Sequence, residues 1–328
     1  MDRIDDGQKF TQAQYSKSVC KANDAILLGF FKKEHPENSH TDCSSHTEQK
    51  LRTLRNSLGS YVKIRPIRTY KELLDKSDNT SAQDTNISIY QEIKGCIHIE
   101  LSKPQKTKLG IYNYSHSDVL RIMHLAFISA QSRRSMVTLI NKAPLSENSI
   151  LWRKMAIHVA ELYPHVKLKF LMVDDALIKF KHNPRQFDVI LTENRVGDYI
   201  ANQANNSIEI NSGLQASASI GKQCALFEPL YEVFTNNKAI ANPIASILSA
   251  AMLLDYFHLC REAKVVRSAV EKSIALKVST PDMNPLKSYT TVEVGNFIKN
   301  LILQNKTIVD YREVTFKKGS KLKTNKIL

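Results

Sequence analysis

Cysteine is sparse in this chain and forms no recognisable site. Five cysteines occur among 328 residues, and none lies in a CxxC pair or beside histidines at zinc-ligand spacing. An odd number also argues against a complete disulfide framework, so we expect a protein of a reducing compartment. The five are Cys20, Cys43, Cys96, Cys224 and Cys260.

Long apolar segments are also absent. The most apolar stretch, PIASILSAAMLL at 243–254, meets Asp255 before it reaches membrane-spanning length, which favours a buried helix. The first residues, MDRIDDGQKFTQ, contain acidic side chains and no apolar core of the kind that signal peptides carry. The sequence therefore predicts a cytoplasmic protein with no membrane partner.

Basic residues outnumber acidic ones, yet they form no binding pattern. The formal net charge is +14, from 46 Lys and Arg against 32 Asp and Glu. These charges are dispersed along the chain and are not interleaved with aromatic residues that could stack on bases. A basic nucleic-acid binder is thus the weakest of the functional hypotheses, and we expect no nucleic-acid partner.

The middle of the chain alternates helical and strand patterns, which is typical of an α/β protein. The first helix presents one apolar face through residues spaced three and four apart, namely Val119, Ile122, Met123, Ala126, Phe127 and Ala130. The elements predicted after it are strands at 136–140, 167–173 and 187–191, and helices at 150–164 and 174–184.

The stretch FDVILTENRVGDYIAN at 187–202 predicts a buried strand, a turn and a helix that begins near Asp198. Asn202 follows Asp198 by four residues, so both side chains lie on one helix face. A carboxylate and an amide can both coordinate a divalent cation, but the amide contributes no negative charge. The stretch indicates a metal-binding turn with one ligand charge missing.

Several phrases, in order, resemble the β-decarboxylating dehydrogenases and are most similar to 3-isopropylmalate dehydrogenase. The resemblance runs from about residue 20 to 303 and rests on DAILLG (24–29), LRTLRNSLGSYVKIRP (51–66), RIMHLAFISAQSRRSMVTLINKAPLSENSILWRK (121–154), YPHVKLKFLMVDDALIKFKHNPRQFDVILTENRVGD (163–198), ASASIG (216–221) and IANPIASILSAAMLL (240–254).

This resemblance implies a two-domain isopropylmalate-dehydrogenase-like α/β fold, with mixed sheets flanked by helices. It places a discontinuous cofactor-type domain at 1–65 and 209–328, and a central domain that carries the dimer interface at 66–208. Family members have a further βαβ unit before the strand that matches DAILLG, so the resemblance implies that this first unit is missing here.

The reaction implied is NAD-linked oxidation of a 2-hydroxy acid, followed by metal-assisted loss of the neighbouring carboxylate. The implied cofactors are NAD and Mg²⁺ or Mn²⁺, and hard carboxylate ligands suit either ion. A small dicarboxylate is the implied substrate. Leucine biosynthesis is the implied pathway type, and a homodimer is the implied assembly.

The resemblance also assigns roles residue by residue. Arg55 and Arg65 match substrate-carboxylate arginines, while a third arginine of that group is replaced by Gln91. Tyr114 matches the general-acid tyrosine. Lys142 matches the lysine that helps to deprotonate the substrate hydroxyl, and the family's aspartate beside it is replaced by Asn141.

The metal and cofactor positions match only in part. Asp174 and Asp198 match the metal-binding aspartates, with Asp174 reaching into the partner's site. Gly221 and Asn242 match the cofactor wall, but EPLYEVFTNNKAIANP has no glycine between Pro229 and Ile240, where the family has a glycine-rich NAD loop.

Two main hypotheses follow. The chain is an impaired 3-isopropylmalate-type dehydrogenase, or it is a catalytically inactive paralogue that acts as a dimer partner or carboxylate-binding subunit. A heterodimer with an intact family member is a further alternative, because family sites form across the subunit interface and Lys142 and Asp174 could complete a partner's site.

Overall fold

The computed structural model describes the middle of the chain and parts of both ends. The described ranges are 23–29, 51–73, 84–93, 116–142, 147–207, 214–222, 224–230, 240–285 and 287–305. Tyr114 and the segment before residue 23 lie outside them. The predicted tyrosine role and the predicted loss of a first βαβ unit are therefore not addressed by the fold.

Eight strands form one mixed sheet in the order β1-β8-β7-β2-β3-β6-β4-β5. Parallel pairing joins β3, β6, β4 and β5 in one half of the sheet, whereas β2, β7 and β8 pair antiparallel in the other half. The strands are β1 (Ala25–Leu27), β2 (Ser60–Arg68), β3 (Asn86–Glu92), β4 (Met136–Asn141), β5 (Lys167–Met172), β6 (Val189–Thr192), β7 (Ala216–Gly221) and β8 (Ala225–Pro229).

Helices follow most of the strands and cover the sheet. They are α1 (His116–Gln131), α2 (Glu147–Glu161), α3 (Val173–His182), α4 (Asn194–Ser207), α5 (Ile244–Tyr256), α6 (Cys260–Ala275) and α7 (Thr291–Gln304). Residues 51–57 are also helical. Within the described ranges, no helix combines the length and the apolarity needed to cross a membrane.

The core lies on both faces of the sheet. On one face, α1 packs Phe127 into a cluster that also contains Trp152 of α2 and Phe227 of β8. On the other face, Phe180 and Phe187 stack with ring centroids 4.2 Å apart, within a second cluster. The six α1 positions predicted to form its apolar face are all fully buried, which confirms the helical spacing.

The predicted α/β class is confirmed, with small corrections at element ends. ASASIG, one of the segments that carry the resemblance, forms strand β7 and pairs with β2 on one side and β8 on the other. The helix after β6 begins at Asn194, so Asp198 lies one full turn inside it rather than at its start. At the C-terminal helix, the capping box of Thr290 and Glu293 is present.

The domain division stays a prediction. Its first boundary, between residues 65 and 66, falls inside β2, which pairs with β7 on one side and with β3 on the other. β2 therefore connects the antiparallel half of the sheet to the parallel half. Three of the candidate site residues lie on β2 and its two neighbours: Arg65 on β2, Gln91 on β3 and Gly221 on β7.

Candidate functional site

Four residues singled out in the sequence lie at the carboxyl ends of the parallel strands. Parallel strands place their carboxyl ends together, and such an edge is where ligands bind in open α/β sheets. Lys142 directly follows β4, Asp174 lies in the first turn of α3 after β5, and Asp198 lies in α4 after β6. Gln91 lies near the end of β3, the next strand in the parallel group.

A continuous line of polar side chains crosses the antiparallel half of the same sheet, on one face. Residues that pair across strands point to the same face, and so do residues two apart along a strand. Lys63 of β2 pairs with Gln91 of β3 and Ser219 of β7, and Ser217 pairs with Glu228 of β8. We call this group the polar row: Gln91, Lys63, Arg65, Ser219, Ser217 and Glu228.

Arg65 forms an ion pair with Asp198. Its guanidinium Nη2 donates a hydrogen bond to Oδ1 of the carboxylate. The Arg65 side chain is 10% exposed and that of Asp198 is 55% exposed, so the pair stands at the mouth of the site. A predicted substrate arginine and a predicted metal aspartate are thus brought together, although 133 residues separate them.

Arg55 forms a second ion pair, deeper in the protein. Its Nη2 and Nε donate to Oε1 of Glu228 at 2.5 and 3.1 Å. Both side chains are buried, at 8% and 3% exposure. Because both groups are buried, removing either partner should lower the free energy of unfolding strongly, since the remaining charge would stay desolvated without its counterion. The other oxygen of Glu228, Oε2, has no hydrogen-bond partner among the described residues.

Lys63 lies between these two pairs and is itself buried, with 8% exposure. Burial, with a further contribution from the guanidiniums of Arg65 and Arg55, lowers the pKa of its ammonium from 10.5 to about 7. The carboxylates of Glu228 and Asp198 act in the opposite direction but do not compensate. Near neutral pH, this lysine is therefore divided between its neutral and its charged form.

Several buried polar atoms around Lys63 have no partner in the described part of the chain. They are Nε of Arg65, Oε1 of Gln91 and Oγ of Ser219. Leaving a buried polar group without a hydrogen bond costs roughly 1–3 kcal/mol. A site that carries three such atoms is suited to a polar ligand or to ordered water, and its basic side chains favour an anion.

Gln91 is held by the turn between β6 and α4. Its amide Nε2 donates to the backbone oxygen of Asn194 at 2.7 Å. Gly197 lies against it so closely that a Cβ there would be 2.4 Å from Cγ of Gln91. The turn and the polar row are thus packed together without space for a larger residue at position 197.

A separate polar contact lies at the end of β4. Burial raises the pKa of the Glu193 carboxyl, and the neighbouring Asn141 side chain acts in the opposite direction without offsetting it. Arg153 of α2 approaches Asn141 Oδ1 at 3.5 Å. Lys142, the next residue, is exposed at the sheet edge. Asn141 replaces the acidic residue that the family has beside this lysine, and the carboxyl group of Glu193 lies next to Asn141.

Lys142 and Asp174 follow strands that lie several positions away from β2, the strand of Arg65. Adjacent strands lie about 4.8 Å apart, so β4 is roughly 14 Å and β5 roughly 19 Å from β2 across the sheet. Asp174 is exposed and lies in the first turn of α3, which follows β5 at the end of the sheet's parallel half. A metal site shared between Asp198 and Asp174 of a second copy of the chain stays a prediction.

The oxygen ligands fit Mg²⁺ or Mn²⁺ in type but not in number. Asp198 and Asn202 share one face of α4 and provide one carboxylate and one amide. Among the described residues, no group of three or more His, Cys, Asp or Glu side chains is arranged to hold a metal. A carboxylate from a second copy would bring this set closer to what the ion requires.

The two predicted cofactor residues have structural partners. Asn242 is buried, and its Nδ2 donates to Asp282 at 3.0 Å while its Oδ1 accepts from the backbone of Ile244 at 3.0 Å. A Cβ at Gly221 would lie 2.4 Å from the carbonyl oxygen of Leu58, so glycine is required there by close packing. Both residues thus have a structural role in their own surroundings. Their contact with NAD stays a prediction.

Sequence reasoning missed three residues of this site: Lys63, Glu193 and Glu228. Lys63 carried a signal, because it alternates with apolar residues in the strand YVKIRP and a lysine there is unusual. Glu228 and Glu193 gave none. Glu228 belongs to the site because β8 pairs with β7, and Glu193 because it is largely buried beside Asn141.

Comparison with known proteins identifies the family. The family model described as isocitrate/isopropylmalate dehydrogenase matches residues 2–300. A 3-isopropylmalate dehydrogenase of Bacteroides fragilis is 33% identical over 309 residues, covering 92% of this chain and 86% of the relative. One of Shouchella clausii is 35% identical over 277 residues, covering 81% and 75%.

Solved structures show the same fold. Isocitrate dehydrogenase from Methylococcus capsulatus superimposes with a TM-score of 0.70 at 25% identity, covering 87% of this chain and 83% of that structure. A β-decarboxylating dehydrogenase from Thermococcus kodakarensis gives a TM-score of 0.69 at 25% identity, covering 91% and 85%.

Proposed function

Because the chain belongs to the isocitrate/isopropylmalate dehydrogenase family, we propose that it oxidises and decarboxylates a 2-hydroxy dicarboxylate of the 3-isopropylmalate type. NAD is the oxidant and a divalent metal ion is required. The observation that carries the proposal is the basic cluster of Arg55, Lys63 and Arg65, which meets the carboxylate of Asp198 at the mouth of the site.

The arginines are suited to the substrate's carboxylates. A guanidinium is planar and can donate two parallel hydrogen bonds to one carboxylate. Arg65 is the accessible one, since its partner Asp198 is half exposed. A dicarboxylate with its metal ion could insert between them, so that Arg65 would bind the anion and Asp198 the cation.

A bound Mg²⁺ or Mn²⁺ would supply Lewis-acid polarisation of the substrate hydroxyl. Asp198 and Asn202 would hold it, together with Asp174 of a second copy. Lys142 of that second copy would take the hydroxyl proton. The support for this homodimer is the distance across the sheet, since roughly 14 Å separates the strand that precedes Lys142 from the strand of Arg65.

Turnover should fall below that of relatives with a complete ligand set. Gln91 and Asn202 each lack a charge that the family has at the matching position, and a charge-assisted contact is worth on the order of 1.5–3 kcal/mol. Each loss then reduces binding or rate roughly ten- to a hundredfold.

The test is NADH formation by the purified chain with 3-isopropylmalate, NAD and Mn²⁺, compared with the variant Asn202→Asp. Restoring the carboxylate should raise turnover at limiting Mn²⁺ by roughly ten- to a hundredfold. Gln203→Glu is the matched control, because it adds the same charge to α4 one residue along, on a different face. Absence of NADH formation in all three proteins would contradict the proposed activity, and equal rates above background would contradict the role of position 202 in metal binding.

A second candidate function is an inactive paralogue that serves as a dimer partner. It is favoured by the neutral side chains of Gln91 and Asn202 and by the absence of glycine between Pro229 and Ile240. Calorimetry with NAD separates the two, because independent dehydrogenase activity requires binding at sub-millimolar NAD. No binding, together with association with an intact family member whose rate falls when this chain carries Lys142→Met, would support the second candidate.

A further inference from the structure

Lys63 is placed where an incoming carboxylate would meet it. It pairs directly with Gln91 in the β2–β3 ladder, so its side chain stands beside the position at which the resemblance implies a third substrate arginine. On its other side it pairs with Ser219 of β7. A cation missing at Gln91 is thus present one strand away, on the same face of the sheet.

The charges around Lys63 leave it without a close counterion. Arg55 is paired with Glu228 and Arg65 with Asp198. The ammonium of Lys63 forms no hydrogen bond and no ion pair with any described residue, although the residue is more than nine-tenths buried. An anion that binds to Lys63 therefore needs to displace neither existing ion pair.

The nearby polar atoms without partners favour the same ligand. Nε of Arg65 and Oγ of Ser219 are buried donors that no described residue satisfies. With the ammonium of Lys63 they make three donors on one face of the sheet. A carboxylate, which carries two acceptor oxygens and one negative charge, matches this set.

We propose that Lys63 supplies the third positive charge of the substrate-carboxylate site and takes up a proton when the carboxylate binds. This proposal deepens the proposed function and rests on it for the identity of the dicarboxylate. Lys63 is a binding and specificity residue here, and it has no assigned part in the oxidation or the decarboxylation.

The proton uptake follows from the surroundings of Lys63. Burial and the two arginines lower the pKa of its ammonium to about 7, while Glu228 and Asp198 raise it less. The neighbours that pair with it on β3 and β7, Gln91 and Ser219, carry no charge. A bound carboxylate stabilises the charged form, so affinity should fall about tenfold per pH unit above the free-state pKa, until the pKa of the complex is reached.

The experiment is calorimetric titration of the homogeneous full chain with 3-isopropylmalate, without NAD, in two buffers of different ionisation enthalpy near pH 8. Wild type should take up close to one proton per ligand. Lys63→Arg should retain most of the affinity without the uptake, because arginine stays charged. Lys63→Met should lose about tenfold or more in affinity and all of the uptake.

Lys71→Met is the matched control, since Lys71 is an exposed lysine that pairs with Asp84 close to the end of β2. It should bind as wild type does, with the same proton uptake. Thermal unfolding of each variant serves to check that the fold is retained. Uptake that persists in Lys63→Met, or wild-type affinity in that variant, would overturn the proposal.

The outcomes also separate this proposal from the proposed function. Proton-linked binding without NADH formation would support the role of Lys63 and contradict dehydrogenase activity. NADH formation with unchanged affinity in Lys63→Met would support the activity and overturn the role of Lys63. Absence of any binding by wild type at millimolar 3-isopropylmalate overturns the role of Lys63, and the NADH assay then decides the activity by itself.

Discussion

Arg65 donates a hydrogen bond to the carboxylate of Asp198, so a residue predicted to bind substrate and one predicted to bind metal neutralise each other. While this pair is closed, Oδ1 of Asp198 is not available to a metal ion and Nη2 of Arg65 is not available to a substrate, although Nε of Arg65 has no partner among the described residues. The pair is half exposed on the Asp198 side, which makes it weak enough to open for a ligand that replaces both interactions.

The first prediction concerns competition between Arg65 and a metal ion. Arg65→Met should increase the affinity of Asp198 for Mn²⁺ in the absence of substrate, because an ion pair of this exposure is worth at most about 1 kcal/mol, or roughly fivefold. Titration of Mn²⁺ followed by electron paramagnetic resonance measures this. Arg68→Met, which removes an arginine of an exposed pair with Glu271, is the control and should leave Mn²⁺ affinity unchanged.

The second prediction concerns Gly197. Gly197→Ala would place a Cβ 2.4 to 2.9 Å from three side-chain carbons of Gln91, so we expect a loss of about 1–3 kcal/mol in the free energy of unfolding. Gly295→Ala in α7 is the matched control. It meets nothing within 4 Å and should stabilise the helix by up to about 1 kcal/mol. Urea denaturation checks both, and equal effects of the two changes would rule out the close packing at 197.

The third prediction concerns the buried pair of Arg55 and Glu228. Glu228→Gln removes the negative charge that faces Arg55 and should lower the free energy of unfolding by about 3 kcal/mol or more. The equivalent change in an exposed pair, Glu271→Gln opposite Arg68, should cost under about 1 kcal/mol. Chemical denaturation of both variants gives the comparison. A loss below 1 kcal/mol at Glu228 would mean that burial does not govern this pair.

The fourth prediction is a pH dependence of stability that comes from Lys63. Its pKa is about 7 in the folded protein and 10.5 as the ordinary value, so between these values the unfolded chain binds more protons. The free energy of unfolding then rises with pH, by up to about 1.4 kcal/mol per pH unit from this group.

Lys63→Met removes that contribution. The variant should be more stable than wild type near pH 7, and its advantage should shrink steadily as pH increases towards 10. Urea denaturation of both proteins over this range tests the prediction, because other titrating groups cancel in the difference. A difference that stays constant with pH would show that Lys63 keeps an ordinary pKa.

Much of the fold could be predicted from local patterns. The apolar positions of α1, from Val119 to Ala130, recur at helical spacing, and that spacing alone identifies the buried face. The Thr290–Glu293 capping box is a local feature of the same kind, because its partners lie within one helical turn. ASASIG could not be assigned in this way, since small residues say little about strands until their pairing partners are known.

The site was predictable only in part. The roles given to Arg65 and Asp198 came from the order of family motifs, whereas their contact depends on β2 and α4 meeting across 133 residues. The pairing of Lys63 with Gln91 depends on the register of β2 against β3. A shift of one residue would turn Lys63 to the opposite face.

The sequence by itself determined the α/β class, the family and the positions at which charged side chains of the family are replaced. These features depend only on the periodicity of residues and on the order of motifs along the chain. Tertiary structure decided which charges meet, how deeply Lys63 and Glu228 are buried, and that Lys142 and Asp174 lie several strands away from Arg65. The physical reason is that electrostatic energies depend on distance and on exposure to water, and sheet pairing sets both.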